Sequence, residues 1–291
     1  MAIAETPGAS ASFPNAVSVD WLANHLNDPQ VVIIDCRFSL ADPHLGQRQY
    51  AAGHIPGAHY LDLNRDLSSP VQTHGGRHPL PDWDVFGQRL EQLGVCSAGP
   101  HGPTQVVVYD DSRFAFAARL WWMLKYLSHG TVAVLDGGWG AWQRSGYAVS
   151  TAVPDPTMGR FIPQPQPHWV VNIDDVRRRQ DKPGVLLIDS REPARYRGEV
   201  EPIDPVAGHI PGSENLFWQT ASTDGGILKP AAAQAQRWDS FPEAEEVILY
   251  CGSGVTACVN LLSQALAGQP LAKLYVGGWS DWCSYNHRSC P

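Results

Sequence analysis

A chain of 291 residues, 43% of them apolar, is long enough to fill two hydrophobic cores, yet it holds no run of about 18 apolar residues that would cross a membrane. A formal net charge of −8 without any basic cluster excludes nucleic acid as a partner. Six cysteines (Cys36, Cys96, Cys251, Cys258, Cys283 and Cys290) show neither Cys-x-x-Cys metal spacing nor the density of a secreted disulfide scaffold, which points to a reduced cytoplasm without metal or cofactor.

Residues 1–14 are small and polar and lack the basic start and apolar core of a signal peptide, so they read as a flexible leader. Residues 15–150 follow, with Val/Ile/Leu runs that predict strands over Val31–Asp35, Val106–Asp110 and Val132–Leu135 and a helix over Ser112–Leu127. Residues 151–168 contain Pro154, Pro156, Pro163, Pro165 and Pro167, which bar a helix and read as a semi-rigid linker. Residues 169–291 repeat the first pattern, with strands over Val185–Asp189, Val247–Tyr250 and Lys273–Val276 and a helix over Val255–Leu266. Continuous apolar strands separated by helices predict an α/β fold in each half, a parallel sheet flanked by helices with its ligand at the carboxyl ends of the strands.

The two halves are copies of one another. Val17-Ser-Val-Asp20 recurs as Val171-Asn-Ile-Asp174, Val32-Ile-Ile-Asp35 as Leu186-Leu-Ile-Asp189, and Gly53-His-Ile-Pro-Gly57 as Gly208-His-Ile-Pro-Gly212. Val107-Val-Tyr109 answers Ile248-Leu-Tyr250, and Gly137-Gly-Trp139-x-x-Trp142 answers Gly277-Gly-Trp279-x-x-Trp282. His54 and His209, repeated alike, are expected to fix a turn in each half. The first half also carries an insertion that includes Gly75-Gly76-Arg77-His78-Pro79-Leu80-Pro81, which reads either as a surface loop or as an arm reaching the other half's site.

The halves part at one position. In the second, an apolar strand ends on Cys251-Gly252-Ser253-Gly254-Val255-Thr256 and a helix follows, which sets a thiol beside inward-turning backbone N–H groups and the positive end of a helix dipole. That is the setting of a reactive cysteine. The first half has Asp110-Asp111-Ser112-Arg113 there, without a thiol and without the glycines expected to let a backbone cradle an anion. Chemistry is assigned to the second half, and the first is expected to shape the cleft.

From Val17 to Trp282 these motifs resemble the tandem rhodanese-type sulfurtransferases, and the resemblance implies two α/β domains of which the first is inactive. It also implies that a sulfane sulfur moves from a small donor onto Cys251, and from the persulfide to a thiol such as thioredoxin, or to cyanide. Thiosulfate-preferring members have basic side chains in the loop. The neutral Gly252 and Ser253 resemble the 3-mercaptopyruvate branch, with thiosulfate as the alternative donor and a non-enzymatic sulfur carrier as the other reading. By the same resemblance Arg195 grips the donor carboxylate, and the amides of Gly252, Gly254, Val255 and Thr256 hold the persulfide. The family's second arginine is missing from Glu201–Ala207, which leaves Arg197 or Arg191 to replace it. Ser253 and His78 match the first two members of a proton relay whose acidic third member falls at Asn64, with Asp62 and Asp66 near in sequence. A phosphatase of this fold would need a Cys-x5-Arg loop, and Ala257 at the sixth position excludes it. Cys258 reads as core, Cys283 and Cys290 as spare thiols, and Trp279 and Trp282 as either core or pocket wall.

Overall fold

The computed structural model describes residues 13–100 and 102–286, so the leader and Cys290 fall wholly or largely outside the described residues. The first half folds as β1 (Ala16–Val17), β2 (Val31–Asp35), β3 (His59–Tyr60), β4 (Gln105–Tyr109) and β5 (Val132–Leu135). The second repeats it as β6 (Val170–Val171), β7 (Val185–Asp189), β8 (Glu214–Asn215), β9 (Glu246–Tyr250) and β10 (Lys273–Tyr275). The sheet orders are β1-β5-β4-β2-β3 and β6-β10-β9-β7-β8, parallel throughout, as expected of an α/β duplication. Even the register is copied, with Asp35 opposite Tyr109 and Asp189 opposite Tyr250. The central strands are buried on both faces, which is why they read as unbroken Val/Ile/Leu runs.

Helices Ala117–Tyr126 and Ala257–Leu266 are apolar nearly all round and pack against each other, so one continuous core spans both domains. The proline-rich segment is fastened along the first domain. Gly159 N donates to Glu91 O (2.7 Å), Phe161 N to the Glu91 carboxylate (3.0 Å) and Gln166 N to Tyr126 O (2.9 Å), and Phe161 is buried.

The repeated motifs form one network in each half. Arg37 donates to Asp35 (2.6 Å) and to Gly53 O (2.7 Å) and lies over Trp139, while Tyr109 donates to Asp35 (2.8 Å). Arg191 does the same with Asp189 (2.6 Å), Gly208 O (2.6 Å) and Trp279. His54 stacks on Tyr50 and bonds its carbonyl (2.7 Å), and His209 treats Tyr196 identically (2.7 Å). Each motif thus ties a strand end to the turn beside it. Asp35→Ala would leave the Arg37 guanidinium buried without its carboxylate, and is expected to lower stability by about 3–5 kcal/mol, read from denaturant unfolding.

Candidate active site

Cys251 follows β9 directly and is 2% exposed, at the floor of a cavity of about 560 Å³ between the domains. The loop turns sharply at Gly254 (φ +69°), where a Cβ would collide with Val276 O. The Gly-Gly-Trp motif caps it from behind, as Trp279 N donates to Cys251 O (2.8 Å) and Ser280 N to Gly252 O (2.9 Å). None of the backbone N–H groups from Gly252 to Thr256 donates to an acceptor among the described residues. A loop of unspent amides before a helix is a site for an anion.

The first domain shows what such a loop does when it is filled. Asp110 turns its carboxylate inward, where Oδ1 accepts from Ser112 N (2.9 Å) and Phe114 N (3.0 Å) and Oδ2 from Phe116 N (2.9 Å) and Ala117 N (2.9 Å). The expectation that this loop lacks a cradle is therefore corrected. Arg113 (φ +57°) and Phe114 (φ +73°) take up left-handed backbone without glycine, and the cradle holds its own aspartate. For the same reason the helix expected from Ser112 begins only at Ala117.

The insertion crosses to the second domain. Gly75 N donates to Asp281 (2.7 Å), the His74 ring bonds Ser284 Oγ (2.8 Å), and Gly76 (φ +79°) lies against Gly277 O, too close for any side chain. It delivers Arg77 and His78 into the cavity, and the His78 ring lies 2.7 Å from Ser253 Oγ. Burial, and then the Arg119 and Arg77 charges, push the His78 pKa down to about 3, so the ring is neutral. Arg119 is fully buried on helix Ala117–Tyr126 and fastens the arm to the loop, donating to Gly254 O (2.9 Å) and His78 O (3.2 Å). Sequence reasoning missed it. Its one signal is an arginine inside an otherwise apolar helix.

No carboxylate among the described residues bonds His78. Asn64 is exposed and donates its N–H to Asp62 (2.9 Å), while Asp66 faces Arg65 (2.8 Å) and Arg89 (3.4 Å). Of the residues expected in a relay, the structure brings together Ser253 and His78. Arg195 lines the cavity with Glu201 (2.6 Å) and Asp204 (3.1 Å) beside it. Arg197, expected among the donor ligands, is exposed, pairs with Glu199 (2.6 Å) and lies outside the cavity lining; its helix has turned it to solvent. Arg191 borders the cavity, yet Asp189, Glu201 and Gly208 O occupy its guanidinium. Trp279 and Trp282 are core, and burial pushes the Cys258 and Cys283 thiols up to about 12. Among the described residues no cluster of His, Cys, Asp or Glu is placed to hold a metal, and no helix is long and apolar enough to span a membrane.

Residues 18–145 and 172–285 match the rhodanese-like domain, and the chain belongs to that family as a tandem. It is 44% identical over 272 residues to a probable 3-mercaptopyruvate sulfurtransferase of Pseudomonas aeruginosa, covering 91% of this chain and 94% of that protein. It is 36% identical over 260 residues to a putative thiosulfate sulfurtransferase, SseB, of Mycobacterium tuberculosis, covering 88% and 89%. The crystal structure of SseA from Escherichia coli, described as a 3-mercaptopyruvate sulfotransferase of rhodanese fold, aligns with a TM-score of 0.78 and 33% identity over 92% of this chain and 99% of that one.

The depressed pKa of His78 has a consequence for stability. An unfolded histidine takes up its proton near pH 6.5, whereas folded His78 does so only near 3. Its contribution is therefore complete above about pH 6.5 and is lost as the pH falls from there toward 3. The melting temperature of His78→Asn should decline less than that of the unaltered protein between about pH 7 and 4.

Proposed function

We propose that this tandem rhodanese-like chain is a 3-mercaptopyruvate sulfurtransferase that carries sulfur on Cys251 and releases pyruvate. One observation carries the reading: the Cys251 thiol sits among unspent loop amides, while Gly252 and Ser253 place no cation beside it. A monoanionic keto acid needs its carboxylate held a short distance away, and Arg195 stands there.

In the reaction the Cys251 thiolate attacks the donor sulfur. The donor C–S bond breaks, its electron pair passes to the adjacent carbon, and an enolate of pyruvate leaves. The Ser253 hydroxyl and the neutral His78 ring, 2.7 Å apart, form a path along which the donor thiol proton reaches that carbon. The products are pyruvate and a Cys251 persulfide anion, which the amides of Gly252, Gly254, Val255 and Thr256 receive. An acceptor thiol, such as that of thioredoxin, or cyanide then takes the outer sulfur and restores Cys251. The Asp110-filled first domain has no counterpart of this step. It supplies the arm, and the transfer belongs to residues 169–291. A cytoplasmic location is part of the same reading, supported by free thiols at Cys36, Cys96, Cys251, Cys258 and Cys283.

Thiosulfate is the second donor to consider, because a relative bears that name. A loop without lysine or arginine offers less to a dianion, so mercaptopyruvate is expected to give the higher kcat/KM. Mass spectrometry after addition of mercaptopyruvate should find one extra sulfur on Cys251, and Cys251→Ser should neither gain it nor release pyruvate. Pyruvate release by the serine variant would overturn the assignment.

A further inference from the structure

The arginine missing from Glu201–Ala207 leaves the donor carboxylate with Arg195 alone on the second domain, and the first domain makes good the loss. Asp204, whose side chain is 2% exposed, lies between two arginines. One of its oxygens takes Nη1 of Arg77, from the first-domain arm, and the other takes Nη2 of Arg195 (3.1 Å). Glu201 backs Arg195 on the same side, accepting from Nη2 (2.6 Å) and Nε (3.3 Å). Each guanidinium is planar and forked, so fixing one edge aims the other. Of the nitrogens left over, Arg77 Nη2 and Arg195 Nη1 are the terminal ones, and neither donates to an acceptor among the described residues.

Both leftover nitrogens turn to the same place. A Cβ added to Gly252 would lie 2.8 Å from Arg77 Nη2 and 3.9 Å from Arg195 Nη1, with Asp204 Oδ2, the oxygen that Arg195 Nη2 already holds, at 3.8 Å. Gly252 adopts no left-handed backbone that would demand glycine, and the space its missing side chain leaves is bordered by these two arginine tips. Two donors of positive charge, brought from two domains, thus converge on a gap one residue from the nucleophile. A carboxylate fits two such donors.

We propose that Arg77 is the second arm of the donor-carboxylate seat, and that Asp204 is a positioning residue that holds Arg77 and Arg195 as one fork across the domain boundary. The proposal rests on the keto-acid reading above and adds the residues that recognise its carboxylate. It also gives the arm a role in donor affinity distinct from that of His78.

Loss of a charge-assisted hydrogen bond at such a seat corresponds to about 10–100-fold in affinity. Arg77→Gln should raise KM for mercaptopyruvate by that factor while changing kcat less than about threefold. Arg77→Lys keeps the ion pair but loses the fork, and should shift KM in the same direction. Pyruvate, which has the carboxylate and no sulfur to transfer, should protect Cys251 from iodoacetamide in the unaltered protein and protect Arg77→Gln correspondingly less. If Asp204 positions the fork, the Arg77→Gln penalty should shrink at least about threefold in an Asp204→Asn background. KM and pyruvate protection within about twofold of the unaltered protein in both Arg77 variants would overturn the seat. An equal penalty in both backgrounds would overturn the role of Asp204. Absence of mercaptopyruvate turnover in the unaltered protein would overturn the donor assignment alone, since pyruvate protection still reads the seat.

Discussion

The direction in which one short loop points its backbone N–H groups decides what each half of this molecule can do. The loop after β4 and the loop after β9 leave equivalent strands and enter equivalent helices. Amides gathered at such a turn act as fixed partial positive charges, and burial leaves them to be satisfied by an anion or not at all. In the first half the anion is covalently supplied: Asp110 accepts four N–H bonds and closes the cradle permanently. In the second half the residue at the same register is Cys251, and the amides stay available to whatever charge develops on its sulfur. One side chain separates a filled cradle from an open one.

An open cradle at a domain boundary needs partners that hold the loop without filling it. Behind the loop these are a cation and carbonyls, while the carboxylates of Asp204 and Glu201 beside the cavity are taken up by Arg77, Arg191 and Arg195. Arg119 enters from the first domain with no carboxylate partner among its hydrogen bonds, and its guanidinium joins Gly254 O to His78 O across the boundary. Burial lowers its pKa from the usual arginine value. The cost of burying that charge is offset only in part by neutral carbonyls, which leaves a positive potential on the side of Cys251. Burial keeps His78 neutral, and the charges of Arg119 and Arg77 add to it. With no carboxylate among the described residues bonded to it, the His78 ring beside Ser253 is not held as imidazolium.

Much of this was legible in the sequence wherever one chemical requirement dictates a run of residues. The buried central strands were, because parallel strands covered on both faces must be apolar throughout, and β2, β5 and β7 fall where the Val/Ile/Leu runs place them. The edge strands β1, β3, β6 and β8 were not, since two residues carry no periodicity. The start of helix Ala117–Tyr126 was misplaced because nothing local to Ser112–Phe116 announces that their amides are committed to Asp110. At the site, Cys251 and Ser253 stand in one loop and are visible together. The bond of Arg77 to Asp204 spans 127 positions and that of Arg119 to Gly254 spans 135, distances over which a single sequence shows the charges and not their pairing.

The duplication supplies an internal control that separates architecture from chemistry. Whatever both halves keep serves the fold: the Asp35–Arg37 and Asp189–Arg191 pairs, the stacked His54 and His209, and the tryptophans lying over those arginines. The differences that bear on chemistry gather at or beside the cavity: Cys251 against Asp110, the arm bearing Arg77 and His78, and Asp204 with the Arg195 that it meets. His209 and Arg191 would pass for functional residues by type alone, one a histidine in the active half and the other an arginine on the cavity wall. Their twins in a half whose loop carries no thiol mark them as framework. Arg119 gives the opposite result, for helices Ala117–Tyr126 and Ala257–Leu266 run in step and the position in the second half that answers Arg119 is the buried, apolar Val259. A cation kept on the inactive side and aimed across the boundary serves the other half's loop, and it is the strongest sign that the first domain is retained as part of the site.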